Sequence, residues 1–259
     1  MNITVCVKQV PSTETRIRIN TQTNFVDASE VDWVINVFDE YALEIALRTK
    51  EKLGGTLVSV SLGPERVKTA LRTSLAMGCD SAMQLTDAAF EGIDSLSVAR
   101  CLAVAIKRAP FDLVLCGKQA VDDDQAVVPA AVAHFLGIPH VAAVADVEID
   151  ASGKLVARRE IEGATEVVEA QCPCLLTVGK GKYDPRLPNL KGMMAAKKKE
   201  TPVLTAAALG IDPSLLSRKL EYLEDRLPPG RKPGRVLEGE IGQVVPELVR
   251  LLHEEAKVV

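Results

Sequence analysis

Residues 111–139 read FDLVLCGKQAVDDDQAVVPAAVAHFLGIP, and the order of signals in this stretch decides the fold. Phe111 to Cys116 is a short, almost wholly apolar run of the kind that forms a strand buried on both faces. A polar loop follows, with Asp122, Asp123 and Asp124 side by side. Ala126 to Leu136 then carries apolar residues at helical spacing, and Gly137-Ile138-Pro139 stops it. Strand, loop and helix in that order are one unit of a parallel sheet.

Working back toward the N-terminus, the same unit repeats. Ile3 to Val10 predicts a strand. Phe38 to Leu53 predicts a helix, with Ala42, Ile45, Ala46 and Leu53 near one face and Gly54-Gly55 as its stop. Thr56 to Leu62 is a second strand, and Pro64 is expected at the first position of a helix that runs to Met77. Ser81 to Thr86 is a third strand, and Ser95 is expected to cap the helix that Pro110 closes. Four strand–helix units predict an α/β fold, a mostly parallel doubly wound sheet with right-handed crossovers.

After residue 140 the rhythm changes. Val141 to Ile149, Leu155 to Ile161, Val167 to Ala170 and Leu175 to Val178 read as strands without long helices between them, and Ser152-Gly153-Lys154 as a hairpin turn. Antiparallel additions to the sheet are expected here. Residues 180–200 are polar and proline-punctuated. Beyond them, 201–259 offers only short helical patterns, best at Ile241 to His253, and is expected to be a C-terminal arm lying on another subunit. The domain reading is therefore 1–200 as the α/β body and 201–259 as the arm.

Composition narrows the function. In 259 residues 47% are hydrophobic and 3% aromatic, and the net charge is −4. That length suits one domain burying roughly 70 to 75% of its unfolded surface, and an acidic chain poor in aromatics is a poor partner for nucleic acid. No run approaches the about 20 apolar residues of a membrane span, and the N-terminus lacks a signal-peptide pattern, so a cytoplasmic protein with no membrane insertion is expected. The six cysteines sit mostly in apolar runs without zinc spacing, and His134, His140 and His253 are isolated; no metal site is expected. No catalytic residue stands out either.

Ligands of open α/β sheets bind beyond the carboxyl ends of the strands, so the loops after residues 10, 62 and 116 should converge. In that crevice the three aspartates can be read as ribose acceptors and helix-opening residues, with a phosphate on free N–H groups near Ala126. They can equally be read as a solvated first turn. Neither GxGxxG nor GxxxxGK[ST] is present to choose between them.

Five motifs decide further. VKQVP at 7–11, NVFDEYALEIALRTKE at 36–51, LRTSLAMGCD at 71–80, DLVLCGKQAVDDD at 112–124 and YDPRLPNLKGMMAAKKKE at 183–200 resemble, in order and spacing, the β subunit of electron-transfer flavoproteins (the ETF β and FixA-like family). The resemblance covers residues 1–205. It implies an adenine-nucleotide α-hydrolase-like fold and an obligate heterodimer with an ETF α subunit that holds the redox FAD. It also implies AMP in the crevice of this chain, and electron exchange with acyl-CoA dehydrogenase-type flavoproteins. By that resemblance the nucleotide site is Cys6, Asn36, Val37, Phe38, Asp39, Leu62, Gly117, Lys118, Gln119, Ala120, Val121, Asp122, Asp123, Asp124, Gln125, Ala126, Val127 and Val128. Phe38 is also expected to face the flavin. The partner-docking loop is Tyr183, Arg186, Leu187, Pro188 and Lys191, with Leu187 as its anchor.

Departures from the family pattern keep alternatives open. Val127 and Pro129 stand where the family has Gln and Gly in its phosphate loop, so the site could hold a differently placed nucleotide or none. The stretch Leu85 to Asp94 (LTDAAFEGID) and the loop ending KGMMAAKKKE lean toward the bifurcating members, which carry a second FAD in place of AMP. Asp123 leans the other way, since those members have glycine there. A stand-alone adenine-nucleotide-hydrolysing enzyme and a purely structural partner of α are the remaining readings.

Overall fold

The computed structural model describes residues 1–199, 201–216, 218–230 and 233–259. Position 200, the end of the expected docking loop, lies outside them. The chain runs β1 (Asn2–Cys6), β2 (Gln9–Pro11), β3 (Trp33–Ile35), α1 (Val37–Leu53), β4 (Thr56–Leu62), α2 (Val67–Met77), β5 (Ser81–Leu85), α3 (Ser95–Ile106), β6 (Leu113–Gly117) and α4 (Val127–Leu136). There follow β7 (His140–Ile149), β8 (Lys154–Ile161), β9 (Ala164–Gln171), β10 (Cys174–Val178), α5 (Leu190–Ala196), β11 (Val203–Leu204), α6 (Ala206–Leu209) and α7 (Ile241–Leu251).

Nine strands form one sheet in the order β11-β5-β4-β1-β6-β10-β7-β8-β9. It is parallel from β11 to β7 and antiparallel across β7, β8 and β9, as the change of rhythm at residue 140 predicts. Alternate residues of the strands feed two cores, as a sheet buried on both faces requires. Ile3, Val5, Leu113 and Leu115 pack with α1 and α2 on one face, while Cys6, Val114 and Cys116 pack with α3 and α4 on the other. β6 and β10 are buried along their whole length.

Several expectations shift for identifiable reasons. The first strand stops at Cys6 because the Lys8 N–H is taken by the Asp39 carboxylate at 2.7 Å; the chain then leaves the sheet, and β2 pairs antiparallel with β3. The helix after β4 starts at Val67, not Pro64. Pro64 to Arg66 make a tight turn, with Val67 N–H on the Pro64 carbonyl, and Gln84 Nε2 donates to the same oxygen at 3.3 Å. Asp94, not Ser95, caps α3: its Oδ1 accepts from Ser97 N–H at 2.8 Å, where a carboxylate also suits the helix dipole. β10 is inserted between β6 and β7, closing the parallel part of the sheet.

The first part of the expected arm, residues 203–216, is built onto the sheet and its core. β11 pairs with β5, and Ala206, Leu209, Ile211 and Leu216 are buried in the core under α3. Past that point no described residue is buried, although hydrogen bonds at 219 and 225 still tie the chain to the body. α7 has an apolar side and no buried residue.

Candidate functional site

The chain builds outward from β1 to β4 and β5, then crosses to β6 on the other side, so the sheet order reverses between β1 and β6. At such a reversal the two flanking connections diverge and leave a crevice beyond the strand ends. A cavity of about 300 Å³ lies there, with Cys6, Leu62, Cys116 and Gly117 at its floor, Val98 and Leu102 one turn apart on α3 as an apolar wall, and the first turn of α4 opposite.

Two side chains from the motif at 36–39 shape the loop over this cavity. Asn36, 1% exposed, donates through Nδ2 to the Gln119 carbonyl at 2.9 Å and accepts from Val121 N–H at 3.2 Å. Asp39 accepts from Lys8 N–H at 2.7 Å and from Gly117 N–H at 2.8 Å, joining the end of β6 to the exit of β1. Burial pushes its carboxyl up to about 7, against the pull of those two N–H groups. Only glycine fits at 117, because a Cβ there would lie 2.4 Å from Asp39 Oδ1 and 2.8 Å from the backbone of Phe38.

The three aspartates are already engaged. Lys8 Nζ donates to Asp122 at 2.8 Å and Asp123 at 3.0 Å, while Gln119 Nε2 donates to Asp124 at 2.7 Å. Asp124 and Ala126 both take left-handed backbone, φ 50° and 55°. Such geometry is costly for alanine and is held here by the cross-bracing of the loop. α4 has no side-chain cap, and its first-turn residues Val127, Val128 and Pro129 line the cavity, Pro129 without an N–H to offer.

Of the expected nucleotide residues, Cys6, Asn36, Asp39, Leu62, Gly117, Gln119, Ala120, Asp123, Gln125, Ala126, Val127 and Val128 line the cavity. Val37, Phe38, Lys118, Val121, Asp122 and Asp124 do not; Phe38 has Lys118 Nζ 4.8 Å from its ring centre. Sequence reasoning missed Lys8, Ser95, Val98, Leu102, Cys116 and Tyr222 as wall residues. Lys8 could have been found, since three adjacent carboxylates demand a counter-charge and VKQVP carries one. Tyr222 gave no local signal. The hydrogen bond with Cys6 and burial push the Cys116 thiol well above its ordinary value, so it is no nucleophile at neutral pH.

The second expected site is split in its roles. Arg186 does not point outward. Its Nε and Nη2 donate to Glu44 of α1 at 2.8 and 3.0 Å, its backbone N–H reaches the same carboxylate at 3.1 Å, and it also pairs with Glu51. Glu44 is 2% exposed and also accepts from Arg48 Nε at 2.7 Å. Burial pushes the Glu44 carboxyl up, and the hydrogen bonds from Arg186 and Arg48 more than offset it, holding it below its ordinary value. Tyr183 lies under the Arg48 guanidinium, 3.7 Å from its ring centre. With the loop pinned on both sides, Leu187 stands 88% exposed. Asn189 caps α5 through Gly192 N–H at 2.7 Å, and Gly192 lets α5 sit against the Ala76 carbonyl of α2, which a Cβ would meet at 2.2 Å. Leu190, Lys191 and Met194 are exposed on that helix.

Among the described residues no group of three His, Cys, Asp or Glu side chains could hold a metal ion, and no helix is long and apolar enough to cross a membrane.

The model of the electron transfer flavoprotein domain matches residues 23–209. The chain is 40% identical over 257 residues to the electron transfer flavoprotein subunit beta of Thermoanaerobacterium thermosaccharolyticum, with 98% of each chain covered. It is 38% identical over 260 residues to the subunit of the same name in Bacillus subtilis, covering both chains fully. It is 36% identical over 261 residues to the caffeyl-CoA reductase-Etf complex subunit CarD of Acetobacterium woodii, covering 98% and 99%.

Proposed function

This chain belongs to the electron transfer flavoprotein family as a β subunit, and on that premise we propose that it holds AMP in the cavity between β1 and β6, pairs with an α subunit that carries the redox FAD, and docks acyl-CoA dehydrogenase-type flavoproteins through Leu187. The observation that carries the proposal is the cavity itself: about 300 Å³ at the reversal of sheet order, apolar on the α3 side, polar on the loop side and facing the uncapped start of α4. That volume is at the low end for small-molecule sites and suits a mononucleotide better than a flavin dinucleotide.

The residues fit such a group. Val98 and Leu102 offer an apolar surface for a base, Gln119 and Gln125 offer hydrogen bonds, and the first-turn N–H groups of α4 favour a phosphate. FAD, when bound with the α subunit, supplies the redox chemistry. The side chains described here hold, orient and shield; the family membership displaces the reading as a nucleotide-hydrolysing enzyme. The pinned loop presents Leu187 as a preorganised anchor, which spares the ordering cost of docking.

A second reading, a second FAD in this cavity for electron bifurcation, is supported by the segment 85–94, whose end at Ile93 forms part of the cavity wall, and by similarity to a relative named as part of a caffeyl-CoA reductase complex. The test is to express the chain with its α subunit, release the nucleotides by denaturation and count them chromatographically. One FAD and one AMP per heterodimer is the expected result. Two FAD and no AMP would replace it with the second reading, and FAD alone would overturn the nucleotide assignment.

A further inference from the structure

The outer side of the cavity is closed by a part of the chain far from it in sequence. Residues 218–225 cross its mouth as a strap fixed at both ends. At one end Lys219 N–H donates to Asp94 Oδ2 at 3.2 Å, so the carboxylate that caps α3 also holds the strap. At the other, Asp225 N–H donates to the Asn24 carbonyl at 2.8 Å and its carboxylate accepts from Val26 N–H at 3.0 Å. Between these anchors Tyr222 turns toward the cavity and forms part of its lining.

Its hydroxyl is held from within the site. Ser95 Oγ donates to Gln125 Oε1 at 2.6 Å, and Gln125 Nε2 donates to the Tyr222 hydroxyl at 3.3 Å. Gln125 is thereby fixed in orientation by both ends of its amide, and it fixes the tyrosine in turn. Tyr222 as a residue nevertheless remains more than half exposed. The Arg218 guanidinium lies 5.7 Å from its ring centre, and the cavity that Tyr222 lines together with Val98 and Leu102 is where a planar base would meet an aromatic and an aliphatic surface.

We infer that Tyr222 is the outer wall of the nucleotide site, its ring covering a purine base, and that the strap 218–225 is the lid whose opening limits exchange of the bound nucleotide. The inference rests on the nucleotide reading above and adds to it the residue that retains the base. Base–aromatic stacking and reciprocal coupling supply the physics: a lid that holds the base is itself held by it.

The test uses the α/β complex stripped of nucleotide and titrated calorimetrically with AMP, as wild type, Tyr222→Phe, Tyr222→Ala and Leu223→Ala. Phenylalanine keeps the ring and loses only the bond to Gln125, so its affinity should stay within about 3-fold of wild type, whereas alanine should weaken binding at least about 5-fold. Leu223→Ala should match wild type. In hydrogen exchange, AMP should slow the amides of 218–225 in wild type and not in Tyr222→Ala. AMP binding by Tyr222→Ala equal to wild type would overturn the role of Tyr222 and leave the nucleotide site standing. Absence of any AMP binding by wild type would overturn both, unless FAD binds in its place and is weakened by Tyr222→Ala, which would support the wall and change only its ligand.

Discussion

Replacing Arg186 by methionine removes the clamp under the docking loop while keeping most of its apolar length. The side chain makes two charge-assisted hydrogen bonds to Glu44 and more to the exposed Glu51. Bonds of that kind contribute roughly 1.5 to 3 kcal/mol each, and breaking a buried pair by removing one partner costs about 3 to 5 kcal/mol. Arg186 is itself one-third exposed, Glu44 keeps Arg48 and a backbone N–H, and the Glu51 pair lies at the surface, so the loss is discounted to about 2 to 3 kcal/mol. For a chain of this size that is a fall in Tm of roughly 4 to 10 °C, read by differential scanning of the α/β complex. The sign of the pH dependence is fixed by Glu44. Its folded pKa is below the ordinary value, so its contribution is present above about pH 4.5 and is lost as pH falls through the folded pKa. The gap between wild type and Arg186→Met should therefore be widest near neutrality and narrow only as pH falls below 4.5. Adding Glu44→Gln to Arg186→Met, which removes the stranded charge, should recover part of the loss. A gap below 1 °C at pH 7, or one that does not change with pH, would refute the reasoning.

Four other outcomes are expected. Leu187→Ala should leave Tm unchanged, since the side chain is solvated, yet slow electron exchange with an acyl-CoA dehydrogenase about 5- to 30-fold in stopped-flow assays, the usual scale for an anchor residue. Lys8→Met frees Asp122 and Asp123 and should weaken AMP binding in calorimetry by about 5- to 10-fold, corresponding to the roughly 1 kcal/mol of a part-exposed pair. Gly117→Ala drives a Cβ into Asp39 and Phe38 and should lower Tm by several degrees, with overpacking costs of about 1 to 3 kcal/mol. For Asp39 the folded pKa of about 7 lies above the unfolded value of 3.8, so the folded state binds the extra proton and stability falls as pH rises from about 4 to 7. Asp39→Asn should abolish that segment of the Tm profile and substitute a pH-independent loss, because its amide sets a donor against one of two backbone N–H groups; a profile parallel to wild type would count against it.

The strand–helix units were legible because their periods differ and their stops are glycine and proline. Phe38 to Leu53 and Thr56 to Leu62 came out within a residue of α1 and β4. What escaped depends on partners distant in sequence. The counter-charge that Asp122 to Asp124 demand points to a lysine, but nothing near Lys8 says that its N–H is lost to Asp39. Arg186 reads as a docking residue in a loop of charges, and only the buried Glu44 on α1 shows it to be an anchor. The same holds for Tyr222, in a stretch whose composition has no core signature, and for β10, whose place between β6 and β7 follows from crossover geometry. Val98 and Leu102 were visible as one face of α3, but which cavity that face lines is a property of the sheet order.

The bracing of the aspartates also bears on how an acidic loop can border the phosphate position proposed above. Two bare carboxylates about 6 Å from a phosphate would each oppose it by roughly 3 kcal/mol per charge pair at an effective dielectric near 20. Lys8 places a positive charge within 3.0 Å of both Asp122 and Asp123, and Asp124 is turned into a bond with Gln119. The carboxylates then serve the loop's shape, holding left-handed backbone at 124 and 126 just before the first turn of α4, which lines the cavity. Adjacent repelling charges are thus tolerable at the end of a buried strand because the lysine that neutralises them arrives from the connection just after the neighbouring strand β1. The motif at 7–11 and the motif at 112–124 are two halves of one device, and neither would be stable in this geometry without the other.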